Sequence, residues 1–149
     1  GGCDRNVVVW SWCGQADTGD PDDIATYLGL MSQLEEEFPG VRFVYMTGHL
    51  DGSGTTGNLN VRNEQIRTYC RTNGKTLYDF ADIESWDPAG VYYPDDTDAC
   101  QCCTDWCSAH ACPTCGDCAH SHCFNCYQKG KAFWWLLRRS TTRRRRSIA

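Results

Sequence analysis

Residues 43–52 read Phe-Val-Tyr-Met-Thr-Gly-His-Leu-Asp-Gly, a short apolar run that breaks off into a loop of polar and small residues. Residues 7–15 follow the same pattern, because Val-Val-Val-Trp leads into Ser-Trp-Cys-Gly-Gln. So do residues 76–85, where Thr-Leu-Tyr-Asp-Phe leads into Ala-Asp-Ile-Glu-Ser. Apolar runs of this kind predict three strands. In an open parallel sheet, the loops after the strands meet at one edge, where ligands bind.

Two helices are predicted between the three strands. Asp20 can cap the first helix, Pro21 suits its first position, and apolar residues then recur at helical spacing. The second helix is predicted over residues 59–70 and ends at Asn73-Gly74, a pair typical of a left-handed cap. The order β-α-β-α-β with short connections predicts an α/β fold whose parallel strands are joined by right-handed crossovers.

The charge is divided between an acidic body and a basic end. Residues 1–137 carry 8 Lys and Arg against 19 Asp and Glu, a net charge of −11, and residues 138–149 carry six Arg. An acidic body is a poor surface for nucleic acid. The sequence contains no run of 18 apolar residues, so no membrane span is predicted. We expect one α/β domain over residues 1–137 and a disordered basic tail over residues 138–149, with neither nucleic acid nor a membrane as partner.

Nine of the twelve cysteines lie between Cys100 and Cys126, in and after a long stretch without helical or strand periodicity. Such density indicates either a disulfide framework in an oxidising compartment or a metal site. The Cys-x-x-Cys spacings suit tetrahedral zinc thiolate sites. For a secreted protein, disulfides that hold the long loop over a site are the simpler interpretation.

A late element, Asp117-Cys118-Ala119-His120, precedes a closing helix predicted over residues 128–137. A carboxylate three residues before an imidazole can fix the tautomer of the ring. It can also stabilise the imidazolium that forms when the ring takes a proton from a hydroxyl nucleophile. His120 is therefore the strongest candidate for a general base, with Asp117 as its partner.

Other polar residues lie near the predicted strand ends. His49 is either a substrate contact at the sheet edge or a loop histidine bonded to local backbone. Asp51, Asp82 and Glu84 lie on the strand-end side and are expected to be helix caps or solvated loop acids, with a role in the site as the alternative. His110 and His122 are expected to be ordinary loop residues, or ligands if the cysteine cluster holds a metal.

Several stretches together resemble the later blocks of a secreted bacterial SGNH (GDSL-type) hydrolase-like family. They are residues 6–15, 43–52, 77–85 and 118–121, with residues 129–137 similar to the family's closing helix. The resemblance implies a flavodoxin-like three-layer α/β/α fold, with a Cys-rich loop before the C-terminal helix. It also implies Ser-His-Asp hydrolysis of an ester, for example an acyl or acetyl group on extracellular carbohydrate. The protein would be secreted, either extracellular or periplasmic, and would need no cofactor and no metal.

By position, Asp117 and His120 match the acid and the base of that family. The loop with Gly14 and Gln15 takes the place of the block that supplies an oxyanion-hole side chain and helps bind substrate. The usual residue there is Asn, and Gln15 keeps an amide N–H donor with longer reach. The nucleophilic Ser should follow a strand upstream of this sequence, so the resemblance implies the C-terminal portion of a longer hydrolase. Ser11, which follows a strand, is the alternative nucleophile.

Three functions stay open at this point. The first is a hydrolase domain that acts on a small-molecule or carbohydrate ester. The second is a non-catalytic secreted binding or structural module that keeps the sheet but lacks the nucleophile. The third is a Cys-rich zinc-binding domain.

Overall fold

Three parallel strands form the sheet, as predicted. The computed structural model of the protein describes residues 5–145, with side chains to residue 138. The strands lie side by side in chain order: β1 (Val7–Val9), β2 (Arg42–Met46) and β3 (Leu77–Tyr78). Val8 stands opposite Phe43, and Tyr45 opposite Leu77. The sequence therefore predicts the mixed α/β class and the strand direction correctly. Each strand is shorter than the range its apolar run predicts, which is residues 6–12, 41–46 and 76–80.

Helices α1 (Pro21–Glu37) and α2 (Asn58–Asn73) connect the strands. The first begins where predicted, because the Asp20 carboxylate accepts hydrogen bonds from two backbone N–H groups of the first turn, at 2.8 and 2.9 Å. Those N–H groups have no partner within the helix. The second ends at Gly74, whose φ of 62° lies in the left-handed region that glycine adopts without strain.

The larger core lies between β2 and these two helices. Phe43 and Tyr45 are buried against the apolar faces of α1 and α2. The predicted apolar stripe of α1 is part of this core as far as Met31, whereas Leu34 is 38% exposed. The buried members of the core are Ile24, Tyr27, Leu28, Met31, Phe43, Tyr45, Ile66 and Cys70.

Tyr27 of α1 links the ends of two strands. Its hydroxyl donates a hydrogen bond to the carbonyl oxygen of Trp10 at 3.1 Å and accepts one from the backbone N–H of Met46 at 3.2 Å. Burial raises the pKa of Tyr27 to about 12, so the phenol keeps its proton at neutral pH. A helix side chain thus joins β1 to β2 just beyond the last paired residues.

The part of the chain after β3 contains more regular structure than its sequence predicts. Helix α3 (Phe80–Glu84) directly follows β3, and helix α4 (Gln101–Ala109) lies within the stretch predicted to be irregular. The region is disulfide-rich, with four pairs: Cys100–Cys103, Cys107–Cys112, Cys115–Cys123 and Cys118–Cys126. Phe124 and the buried cysteines of α4 form a second, smaller core here.

The closing helix α5 (Cys123–Arg145) is longer at both ends than residues 128–137. The structure continues it through residues 138–145, for which the sequence predicts a disordered tail; residues 146–149 lie outside the described part. Neither Gly nor Pro interrupts residues 138–145, and Arg is a good helix former, so nothing ends the helix at Leu137. No helix within residues 5–145 combines the length and the apolar character needed to cross a membrane.

Candidate functional site

The loops after β1 and β2 meet at the carboxyl ends of the strands. Ser11 donates a hydrogen bond from its hydroxyl to the carbonyl oxygen of Thr47, at 3.1 Å. A methyl group placed on Gly14 would lie 3.7 Å from Nε2 of His49. The structure therefore brings together two of the predicted site residues, one from each loop, as expected for the edge of a parallel sheet.

The His49 ring is held in one orientation. Its Nδ1 lies 2.7 Å from the carbonyl oxygen of Leu50, and a carbonyl can only accept, so Nδ1 carries a hydrogen. In the neutral ring Nε2 is then an acceptor, and this nitrogen is the one that faces Gly14. One ring nitrogen bonds local backbone, as the second interpretation of His49 expects, and the substrate contact stays a prediction for the nitrogen that faces Gly14.

Gln15 lies in a short 3₁₀ helix, Gly14–Asp17, and its side chain is exposed. Its amide oxygen accepts a hydrogen bond from the backbone N–H of Cys13, at 3.2 Å. The amide nitrogen makes no hydrogen bond to another described residue. Because the oxygen is occupied, the side chain presents a donor, which is the group an oxyanion requires.

Asp117 and His120 lie on an exposed turn before α5. His120 has a φ of 60°, an unusual conformation for a residue other than glycine. Within residues 5–145, no hydrogen bond or ion pair joins the Asp117 carboxylate to the His120 ring. The structure thus places the two residues on one turn without forming the predicted contact between them.

That turn is anchored to the same sheet edge by Asn125 of α5. The Asn125 amide nitrogen donates to Oγ of Ser121 at 2.8 Å and to Oε2 of Glu84 at 3.3 Å. Oε1 of Glu84 accepts a hydrogen bond from the backbone N–H of Leu50, the residue after His49. Ser121 directly follows His120, so a chain of hydrogen bonds runs from the turn to the loop after β2.

Glu84 is a buried ion-pair partner, and the prediction of a cap or solvated acid was wrong. Its side chain is completely buried and lies 2.5 Å from Nζ of Lys129, whose side chain is 10% exposed. Nζ of Lys129 also stands 3.7 Å from the centroid of the Phe80 ring. The only sequence signal was a lysine within the predicted apolar face of the closing helix.

A pocket of about 480 Å³ opens beside His49, between α2, α3 and the loop after β2. Inside it, Arg67 binds Asp79 through two hydrogen bonds, Nε to Oδ2 at 2.7 Å and Nη2 to Oδ1 at 2.9 Å. Oδ1 of Asp79 also accepts a hydrogen bond from the Thr47 hydroxyl at 3.1 Å. Burial lowers the pKa of Arg67, but the hydrogen bonds and charge of Asp79 raise it by more, so the guanidinium stays charged.

The other predicted loop residues make contacts within their own loops and helices. His122 caps α5, because its Nδ1 accepts the backbone N–H of Phe124 at 3.1 Å. The His110 ring stacks on Trp106 with centroids 3.8 Å apart. Oδ1 of Asp51 accepts the backbone N–H and the hydroxyl of Ser53, at 2.9 and 2.5 Å.

The cysteine cluster offers few metal ligands. The sulfur atoms of Cys100, Cys102 and Cys103 lie within 4.8 Å of one another, but the first and third form a disulfide. Cys102 is a buried thiol, and burial followed by the nearby Asp96 carboxylate raises its pKa to about 12. Since metals bind the thiolate, the disulfide interpretation fits this region better than zinc.

Comparison of the chain with known protein families, with curated proteins and with solved structures gives no significant match. The fold and the site geometry are therefore the observations from which a function can be argued.

Proposed function

We propose that the protein is an SGNH-type hydrolase domain that cleaves an ester by Ser-His-Asp chemistry. The observation that carries the proposal is the meeting of Gly14 and His49 at the carboxyl ends of parallel strands, beside a pocket of about 480 Å³. A pocket of this size suits a small-molecule or carbohydrate ester. Four disulfides fit a secreted or periplasmic protein, because such compartments are oxidising.

In this proposal His120 is the general base and then the general acid, and Asp117 orients it. The His120 ring is exposed and has no hydrogen bond to another described residue, so both ring nitrogens are available. The Gly14–Gln15 loop supplies the oxyanion donor, and Nε2 of His49 contacts the substrate.

Ser11 is a poor nucleophile in this arrangement. Its hydroxyl hydrogen is shared between the carbonyl oxygens of Trp12, at 2.7 Å, and Thr47, at 3.1 Å. A nucleophilic serine instead donates its hydrogen to a base. The hydrogen bonds of Ser11 therefore suit a structural role, and the proposal leaves the identity of the nucleophile to the labelling experiment below.

The flavodoxin-like three-layer arrangement is part of the same proposal. Successive side chains of a strand point to opposite faces. Leu77 packs with the core of α1 and α2. The neighbouring Tyr78 contacts α5 through its ring, 5.5 Å from that of Phe133, and its hydroxyl donates to the carbonyl oxygen of Lys129 at 2.8 Å. This alternation supports helices on both faces of the sheet.

A fluorophosphonate, which labels serines activated by a base, tests the proposal. We compare the 149-residue chain with the product of the complete reading frame and expect at least one of the two forms to be labelled. His120→Ala should abolish labelling of the complete product. His110→Ala is the control, since that ring stacks on Trp106. Absence of labelling in both forms, or equal labelling of the His120→Ala variant, would refute catalysis through this residue.

A non-catalytic binding module is the second candidate. The observation that favours it is that no serine hydroxyl donates to an imidazole among the side chains that the structure describes. Under this alternative, ligand binding survives His120→Ala and no ester is turned over at any pH. Hydrolysis of p-nitrophenyl acetate that disappears in the His120→Ala variant would exclude it.

A further inference from the structure

Two aromatic rings stand at the mouth of the pocket beside His49. Trp86 and Tyr92 are paired by an antiparallel bridge, and their ring centroids lie 4.7 Å apart with an interplanar angle of 34°. Both residues line the pocket. They are 40% and 45% exposed, so a large part of each ring remains open to a ligand.

The Trp86 ring is held in place by its polar edge. Its Nε1–H donates to Oδ1 of Asp82 on α3, at 3.1 Å. The loop that carries both rings is closed by a hydrogen bond from the backbone N–H of Asp87 to the carbonyl oxygen of Val91, at 3.1 Å. A ring fixed before binding loses little conformational entropy when a ligand stacks on it, and this favours binding.

The charges of the pocket select against an anionic ligand. Among the described residues, the lining contains four carboxylates and two guanidinium groups. Arg67 pairs with Asp79, and Arg71 lies 3.5 Å from Glu64. The carboxylates of Asp51 and Asp82 have no cationic partner within the described part of the chain, and both accept hydrogen bonds. The pocket therefore suits a neutral ligand rich in hydroxyl donors.

We propose that the Trp86–Tyr92 mouth is a subsite for a neutral sugar unit, with the apolar C–H face of the sugar ring stacked on the indole. Stacking removes apolar surface of both partners from water, and the sugar hydroxyls donate to Asp51 and Asp82 at the rim. The inference rests on the proposed function, since it makes the substrate a carbohydrate ester. The subsite holds the part of the substrate that does not react.

Affinity electrophoresis in gels that contain a soluble polysaccharide tests the subsite without any turnover. The probes are the neutral polymers xylan, galactomannan and hydroxyethylcellulose, and the anionic polymer polygalacturonate. We expect at least one neutral polymer to retard the protein more strongly than polygalacturonate does. Trp86→Ala should weaken that binding at least tenfold, and Trp86→Phe, which keeps a ring and protects the fold, should keep most of it.

Trp134→Ala is the matched control, because that indole is 65% exposed on α5 and does not line the pocket. Its retardation should equal that of the unmodified chain. The subsite is refuted if no neutral polymer retards the protein, or if Trp86→Ala binds as Trp134→Ala does. If the protein binds sugar but is not labelled by the fluorophosphonate, the subsite is supported and the hydrolase is refuted. If it is labelled but binds no sugar, the hydrolase is supported and the subsite is refuted.

Discussion

Replacement of Glu84 by alanine would leave the ammonium of Lys129 buried without its counter-ion. The two side chains are 0% and 10% exposed, and Glu84 also accepts hydrogen bonds from the backbone of Leu50 and the amide of Asn125. Removing one partner of a buried ion pair costs about 3–5 kcal/mol, because the other charge stays desolvated. We expect the free energy of unfolding of Glu84→Ala to fall by that amount.

For a chain of this length, about 1 kcal/mol corresponds to roughly 2–4 °C in Tm. The expected fall in Tm is therefore roughly 6–20 °C. Urea denaturation followed by tryptophan fluorescence gives the free energy directly, provided that its dependence on urea concentration is unchanged. Glu64→Ala is the control. That carboxylate is half exposed, and its surface ion pairs should contribute less than about 1 kcal/mol.

A double-mutant cycle separates the ion pair from the packing. Replacing both Glu84 and Lys129 by methionine removes both charges at once. We expect the double variant to be about 1–3 kcal/mol more stable than the sum of the two single changes predicts. Additive effects, or a loss below about 1 kcal/mol in Glu84→Ala, would refute the argument that a paired buried charge holds α5 against α3.

Three further measurements test other groups. Partial burial raises the pKa of Asp96, but three backbone N–H donors lower it by more, so its folded-state pKa lies below the ordinary value. The Asp96 carboxylate should therefore stabilise the fold fully above about pH 4, and this stabilisation should be lost as the pH falls through the folded-state pKa. Urea denaturation at several pH values should show that Asp96→Asn lacks this loss of stability in acid. At pH 8 iodoacetamide should modify the exposed Cys13. It should modify Cys70 and Cys102 only in urea, because burial raises their pKa values to about 11 and about 12; peptide mass spectrometry that finds Cys102 modified in the folded chain would contradict this. Tyr27→Phe removes the hydroxyl that bridges β1 and β2, and it should lower the free energy of unfolding by about 1–3 kcal/mol. If urea denaturation shows that this free energy falls by less than about 0.5 kcal/mol, the bridge does not stabilise the sheet.

The parts of the fold that were predictable depend on local signals. Asp20 and Pro21 mark the start of α1, and Gly74 follows the end of α2, because caps are set by residues within one turn. Alternation of strands with helices then determines the parallel direction. The strand lengths could not be predicted, since pairing ends where neighbouring strands diverge.

The parts that were missed depend on contacts between distant residues. Glu84 and Lys129 are separated by 45 positions, and nothing near either residue in sequence indicates the other. Helix α4 has only nine residues, and its cysteines obscure any apolar period. The meeting of Gly14 with His49 was predictable from the sheet edge. The pairing of Asp117 with His120 stays a prediction, since spacing along a turn does not determine side-chain direction.

The four disulfides each join cysteines that are three to eight positions apart, and all of them lie within residues 100–126. None of these four bonds crosses to the sheet, and the buried residues of the larger core come from α1, α2 and β2. The sheet can therefore form before any thiol is oxidised. Oxidation of these thiols would then cross-link the segment that carries His120 and leave the sheet unchanged.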